Sequence, residues 1–481
     1  MKKLGIEFIK EGHGKTSTME HEDLITRIEV YCRRAEIAES TFGRRAVNDG
    51  KFVGRLRDGK RVTTRTISRI EKYLDADQPA ADETVTYDPR MMPTTTAAPR
   101  IPPSPETESA GHFRFYDNRQ KYLLFVNTCS EKWAVADRVG QELTRLQVRP
   151  PALRVFDAGM GDGTVLTRVM RHMHKLYPTV PFYVVGKEIS LEDVRLTMEK
   201  LPDRFNEHPA MVVVITNMFY AEAPSLMPRA PENAARLNWS EVALEGNSAH
   251  EFEEQIAALE PEIADGWQVR TSEKTGNPLY VRPSVMILYR GDHKMLLDNI
   301  IPRPGLAMND YNLIIASQPF RLRASLDLKV KRVLAPLARA LAPGGRMLTI
   351  HSAGKDPGQE IIQRVWPDEN PFHHNRQTLL QALKRELGRD GRDLNFTAAA
   401  DKRALFRYVM HTLPTEIGSS IGTSTLMAAW NAAVYVSQIE DDRLEAAMAD
   451  NKYLETTSDV LREYNGLWFN DESFVVSRRR D

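Results

Sequence analysis

One run of eighteen residues constrains this chain more than any other, Leu153-Arg-Val-Phe-Asp-Ala-Gly-Met-Gly-Asp-Gly-Thr-Val-Leu-Thr-Arg-Val-Met170. Val155 and Phe156 mark an apolar strand that runs into Asp157. Glycines follow at alternate positions, Gly159, Gly161 and Gly163, and Val165, Leu166, Val169 and Met173 then recur at helical spacing. Glycines at a strand-to-helix junction let the backbone turn sharply, and they let a ligand lie against main-chain N–H groups with no Cβ in the way. A lone glycine triplet says little; its placement between strand and helix gives it force. A dinucleotide-binding turn wants Gly-x-Gly-x-x-Gly, and here Thr164 stands where its third glycine belongs, with glycine one residue early.

The rest of the composition sets bounds. At 481 residues the chain has room for about three domains of roughly 150 residues. Lys plus Arg and Asp plus Glu each number 65, so the formal charge is zero, which excludes a uniformly basic nucleic-acid coat and an acidic solvating protein. A hydrophobic fraction of 42% supports a core. The two cysteines, Cys32 and Cys129, stand far apart, which excludes a disulfide framework and a cysteine-built zinc site and fits a reducing compartment. No apolar run approaches a membrane span, and Met1 to Lys15 has no apolar h-region. The expectation is a soluble, cytoplasmic protein with no membrane partner.

Between Ala76 and Ala110 stand seven prolines and almost no aliphatic residue, the composition of a tether that cannot bury enough apolar surface to offset its ordering entropy. The chain therefore reads as an N-terminal tail (1–20), a small helical unit (21–75), the proline-rich linker (76–110) and a large unit (111–481). In the small unit Leu24, Ile25, Ile28 and Tyr31, then Ile67, Ile70 and Leu74, recur at helical spacing. Asn48-Asp49-Gly50 is a turn, followed by a short helix with Phe52, Val53 and Leu56 inward. From Arg44 to Lys72 ten basic residues face three acids, a local net of +7. The segment resembles the Cro/repressor-like helix-turn-helix family, which implies double-stranded DNA as a partner through residues 40–72. The bland alternative is a helical bundle with a solvated basic face.

In the large unit Phe113 to Leu146 reads as helix, and alternating strand and helix patterns follow. Around the glycine turn the residues resemble the class I S-adenosylmethionine-dependent methyltransferases, whose first motif is acid-x-Gly-x-Gly-x-Gly. The resemblance continues in order. Phe182-Tyr-Val-Val-Gly186 is a second strand, followed by Glu188, where the family places an acid on the ribose hydroxyls. Met211 to Thr216 is a third, followed by Asn217-Met218, where the family contacts the adenine. Asn312-Leu-Ile-Ile-Ala316 is a fourth, ending in Ser317-Gln-Pro-Phe320. Leu341 to Ile350 looks like the Pro-Gly-Gly turn into the fifth, with Ala433 to Gln438 and Ser473 to Ser477 as the closing pair. The resemblance implies an α/β, Rossmann-like, seven-stranded, mostly parallel sheet with helices on both faces, beside the small all-α domain. It implies S-adenosyl-L-methionine as cofactor, held by Asp157, Gly159, Gly161, Gly163, Glu188, Asn217, Met218 and Ser317.

For the acceptor, Ser317-Gln-Pro-Phe320 resembles the (Asp/Asn/Ser)-Pro-Pro-(Tyr/Phe) motif of methyltransferases acting on planar amino groups, with Gln318 in place of the first proline. Gln318 and His351, after the fifth strand, are the candidate catalytic residues. The insertion at about 221–283 carries eleven acids against five bases, suited to a cationic acceptor, although a solvated helical hairpin at Glu251 to Ile263 explains it equally. Tyr408 and Trp430 are candidates to stack on an acceptor, with core packing the commoner role. His373-His374 has no third ligand at metal spacing, so no metal is expected. The leading expectation is methyl transfer to a small-molecule acceptor. The alternatives are a DNA base amino-methyltransferase and a non-catalytic regulator that senses S-adenosylmethionine.

Overall fold

The computed structural model describes parts of segment 24–74, and residues 119–480 apart from 273–277, 414–420 and 450–451. The N-terminal tail, the linker and Phe113–Asn118 lie outside the described residues. The chain divides into two units, Met1–Ser104 and Pro105–Asp481.

In the first unit the helices Glu39–Val47 and Phe52–Arg57 are joined by a turn at Asp49. The Asp49 N–H donates to Gly43 O (3.0 Å), and its Oδ1 accepts from the Lys51 N–H (3.0 Å). Phe42, Phe52, Val53 and Leu56 pack with Leu24, Ile28 and Ile70 in one small core, as the spacing predicts.

In the second unit the strands are β1 (Leu153–Asp157), β2 (Phe182–Lys187), β3 (Met211–Thr216), β4 (Asn238–Leu244), β5 (Val269–Thr271), β6 (Pro278–Tyr280), β7 (Ser284–Arg290), β8 (Tyr311–Ser317), β9 (Leu341–Ser352), β10 (Leu394–Thr397), β11 (Leu405–Val409) and β12 (Trp468–Arg478). The expected strands after the glycine turn form a parallel block, β3-β2-β1-β8-β9, with β12 antiparallel beside β9. Apolar β-branched runs buried on both faces, such as Met211–Thr216, suit such a block. Helices cover both faces. One core gathers Leu334, Leu337, Leu379 and Leu383 against Phe156 and Ile314; the other gathers Val139, Leu166, Val169 and Phe252 against Val155 and Val184.

Four expectations are corrected. The sheet has ten strands, not seven, because β7 pairs antiparallel to β3, β4 pairs with β7, and β10 and β11 both pair with β12. The insertion at 221–283 is thus not only a helical hairpin. Its helices Ala249–Ala258 and Glu260–Gly266 are present, but β4 leaves it to extend the sheet beside the fully buried β7. Ala433 to Gln438 is not a strand. Residues through Ser437 belong to the helix Thr423–Ser437, where four buried alanines outweigh the strand preference of two valines. The expected single helix up to Leu146 is two, Arg119–Thr128 and Glu131–Leu143. They break where Cys129 bridges to Met410 and the Ser130 hydroxyl accepts from the Val409 N–H (3.0 Å).

Candidate functional site

β1 lies between β2 and β8, the place where the parallel strand order reverses, and open α/β sheets bind ligands outside the carboxyl ends of such strands. The glycine turn crosses there. The Ala158 N–H donates to Ile315 O of β8 (2.8 Å), and the Met160 N–H to Lys187 O of β2 (3.2 Å). Gly161 has φ +53° and Gly163 φ +75°, both in the left-handed region that favours glycine. Gly163 then starts the helix Thr164–Leu176.

A cavity of about 370 Å³ opens at this place, lined by Gly159 and Gly161 of the turn, Glu188 beyond β2, Tyr220 beyond β3, and Ser317 to Arg321 beyond β8. Its size is that of a small-molecule site. Glu188 holds the turn: its Oε2 accepts from the Gly161 N–H (3.0 Å), and its Oε1 accepts from the N–H groups of Ile189 (2.7 Å) and Ser190 (2.9 Å). The indole of Trp267, from the insertion, donates to the Glu188 carbonyl (2.8 Å) and fixes its backbone.

Asp157 is buried beneath the turn, and its Oδ1 accepts from the Gly159 N–H (3.2 Å). Burial pushes its carboxyl up to about 7, with Glu188 adding to the rise and the Gly159 N–H and Lys132 opposing it. Ser317 and Gln318 line the cavity. Gln318 adopts φ +47°, an uncommon conformation for a residue with a side chain. Its amide is spoken for, since Nε2 donates to Asp471 and Ser352 Oγ (3.3 Å each) and Oε1 accepts from the Ser352 N–H (3.3 Å). It shapes the wall, and an amide does not exchange a proton near neutral pH, so it is no acid or base.

The structure leaves the other expected residues outside the cavity. Asn217 is buried, donating to Gly266 O and Arg282 O (3.0 Å each) and accepting from the Ser284 N–H (2.8 Å), so it ties β3 to the insertion. Met218 is wholly inside the core. His351 is buried away from the cavity, its Nε2 3.3 Å from Glu472 Oε1. Burial first, and then Lys329, push it down to about 3, which makes it a weak base. Trp430 and Tyr408 are buried in the core. His374 Nδ1 lies 3.1 Å from Lys329 Nζ, and among the described residues no cluster of His, Cys, Asp or Glu has the makings of a metal site.

Sequence reasoning missed Tyr122, Lys132, Lys187, Tyr220 and Tyr435, all lining the cavity. Tyr220 follows β3 by four residues, and its hydroxyl donates to Pro319 O (2.9 Å), linking two walls. Tyr122 stands over the turn, close enough that a Cβ on Gly161 would lie 3.3 Å from its hydroxyl. An aromatic residue just past a strand was the available signal for Tyr220; Tyr122 and Tyr435 come from helices remote in sequence and gave none.

The fold and the cavity together define a doubly wound α/β protein with a cavity at its switch point. No family model and no curated protein matches the chain. Among solved structures it is similar to a Galdieria sulphuraria protein described as a sarcosine dimethylglycine methyltransferase, at 12% identity over 72% of this chain and 85% of that one, with TM-score 0.30. It is also similar to geranyl diphosphate methyltransferase in complex with SAM (11%, 72% and 85%, TM-score 0.27). A third likeness is to PKMT2 from Rickettsia typhi in complex with AdoHcy (11%, 75% and 53%, TM-score 0.23). At such scores the likenesses carry no argument of their own, and the functional reading rests on the residues of the turn.

Proposed function

We propose that this chain binds S-adenosyl-L-methionine in the switch-point cavity and transfers its methyl group to a small-molecule acceptor. The observation that carries the reading is the Glu188 carboxylate at the end of β2, joined through the Gly161 N–H to a turn that bares its backbone to the same cavity. A carboxylate has about four acceptor sites, so its three backbone N–H partners leave Glu188 room to accept from a ribose hydroxyl, and a nucleoside needs a wall without Cβ atoms. The residues fit: a Cβ added at Gly159 meets nothing of the protein within 4 Å, so that space is open for a ligand. Ionised Asp157 suits the α-ammonium of the methionine part, and Gly159, Gly161 and Glu188 suit the ribose side. When bound, the sulfonium supplies an already activated methyl group. The protein's share is then alignment, and the Ser317–Phe320 turn, pinned through Gln318 and Tyr220, is the wall against which an acceptor is positioned.

Calorimetry with S-adenosylhomocysteine tests this. Binding by the wild type and its weakening in Asp157→Asn and Gly159→Ala are expected; full-strength binding in both variants would defeat the reading. For the small unit we propose a contact with duplex DNA through residues 40–72, supported by the +7 balance from Arg44 to Lys72. Arg55 pairs with Asp49, and Arg57 with Glu29 and Glu39, so other basic residues must meet the phosphates. The expected result is duplex affinity that falls steeply with salt; none at low salt would remove this partner.

A further inference from the structure

The charges around the cavity do not balance as the composition of the insertion suggests. Among the described residues of 221–283 only Pro278 lines the cavity, and five of the insertion's acids are engaged elsewhere. Glu222 accepts from the Tyr280 hydroxyl (3.0 Å), Glu241 from the Tyr289 hydroxyl (2.7 Å), Glu251 caps its own helix, Glu260 pairs with Arg195 and Asp265 with Arg282. Of the acids in the lining, Glu188 accepts from three backbone N–H groups, Glu192 is exposed to solvent and Asp193 is half-buried.

Lys187 is the opposite case. It ends β2 in the cavity wall, and its Nζ lies 5.1 Å from the centroid of the Tyr220 ring. Among the described residues it forms no salt bridge, whereas Lys132 has Glu131 at 3.4 Å. Burial pulls the Lys187 ammonium down and the charge of Glu188 opposes that pull. Lys187 is half-buried, and a cation partly withdrawn from water beside an aromatic face, with no salt bridge among the described residues, is stabilised when an anion arrives. Tyr220 is the residue that reaches Pro319, so this cation belongs to the same wall as the Ser317–Phe320 turn.

We infer that Lys187 is the seat of an anionic group on the methyl acceptor, and that the acceptor is a small flat carboxylate rather than a cationic amine. The inference rests on the cofactor reading above. Tyr220 and Phe320 are aromatic residues of the lining, and an adenosyl amino acid leaves little of about 370 Å³ for a large partner. A lysine is a point charge that meets a carboxylate without demanding a fixed fork.

The test uses full-length protein saturated with S-adenosylhomocysteine, titrated with benzoate, benzylamine and phenyl phosphate by ligand-observed NMR. The wild type is expected to bind benzoate over the other two. Lys187→Gln should weaken benzoate at least about tenfold with S-adenosylhomocysteine affinity unchanged, and Lys187→Arg should recover part of the loss. Preference for benzylamine or phenyl phosphate, or benzoate binding that ignores Lys187→Gln, overturns the inference while leaving the cofactor reading intact. So does a parallel loss of S-adenosylhomocysteine affinity in Lys187→Gln, which would give Lys187 to the cofactor. A wild type that binds no S-adenosylhomocysteine fells the cofactor reading, and this inference with it.

Discussion

At the residue scale the three glycines of the turn do different work, and substitution separates them. A Cβ at Gly163 would lie 2.7 Å from Thr197 Oγ1 on a backbone already at φ +75°. Gly163→Ala is therefore expected to cost at least about 1 kcal/mol of stability, read by urea unfolding. Gly159→Ala meets no protein atom, so its unfolding midpoint should stay put while S-adenosylhomocysteine binding weakens. Asp157 adds a pH signature. Its carboxyl, raised to about 7 by burial, keeps a proton in the folded state that the unfolded chain has released, so its contribution to stability declines as pH rises from about 4 to about 7. A ligand ammonium favours the ionised form, so affinity for S-adenosylhomocysteine should climb between about pH 6 and 8 in the wild type and stay flat in Asp157→Asn. The turn and Glu188 were legible in the sequence because their roles are written in backbone conformation and strand order. Asn217 was not, since its partners Gly266, Arg282 and Ser284 come from about fifty to seventy residues away; nor was Met218, whose place inside the core only the packed sheet and helices decide.

At the element scale, local propensity and burial pull in different directions. Ala433 to Gln438 looks like a strand when read alone, yet the helix it belongs to is buried almost all round, and only its neighbours in the fold show that. β7 was hidden because a short apolar run does not distinguish strand from buried helix. The helix Pro357–Val365 shows how one side chain joins two elements. Asp356 caps it by accepting from the Gln359 N–H (2.8 Å) and also accepts from the Asn470 N–H of β12 (2.9 Å). Asp356→Ala is expected to destabilise the protein by about 1–2 kcal/mol, measured by chemical unfolding, without altering cofactor affinity.

At the scale of the whole molecule, the second unit has its own cores and contains every residue of the cavity, so removing residues 1–104 should leave S-adenosylhomocysteine affinity unchanged by calorimetry. Two buried histidines make one acid-sensitive contribution to this unit. Burial pushes His208 down to about 4 and His351 to about 3, so between about pH 6.5 and those values the unfolded chain binds protons that the folded chain refuses. The stability these two groups contribute is complete above about pH 6.5 and is lost on acidification, while the raised carboxyls of Asp157 and Asp356 work in the opposite direction; the Tm of His208→Gln, which can still donate to Val180 O, should therefore gain on that of the wild type as pH falls from about 6.5 to about 4. The amino-acid sequence by itself determined the division around the proline-rich segment, the parallel block and the glycine turn with its acid, because each is a local pattern of backbone freedom or apolar spacing. The tertiary structure alone decided the extra strands, the burial of His351 and the position of Lys187 without a salt bridge among the described residues, because which charges are neutralised depends on side chains brought together from distant parts of the chain.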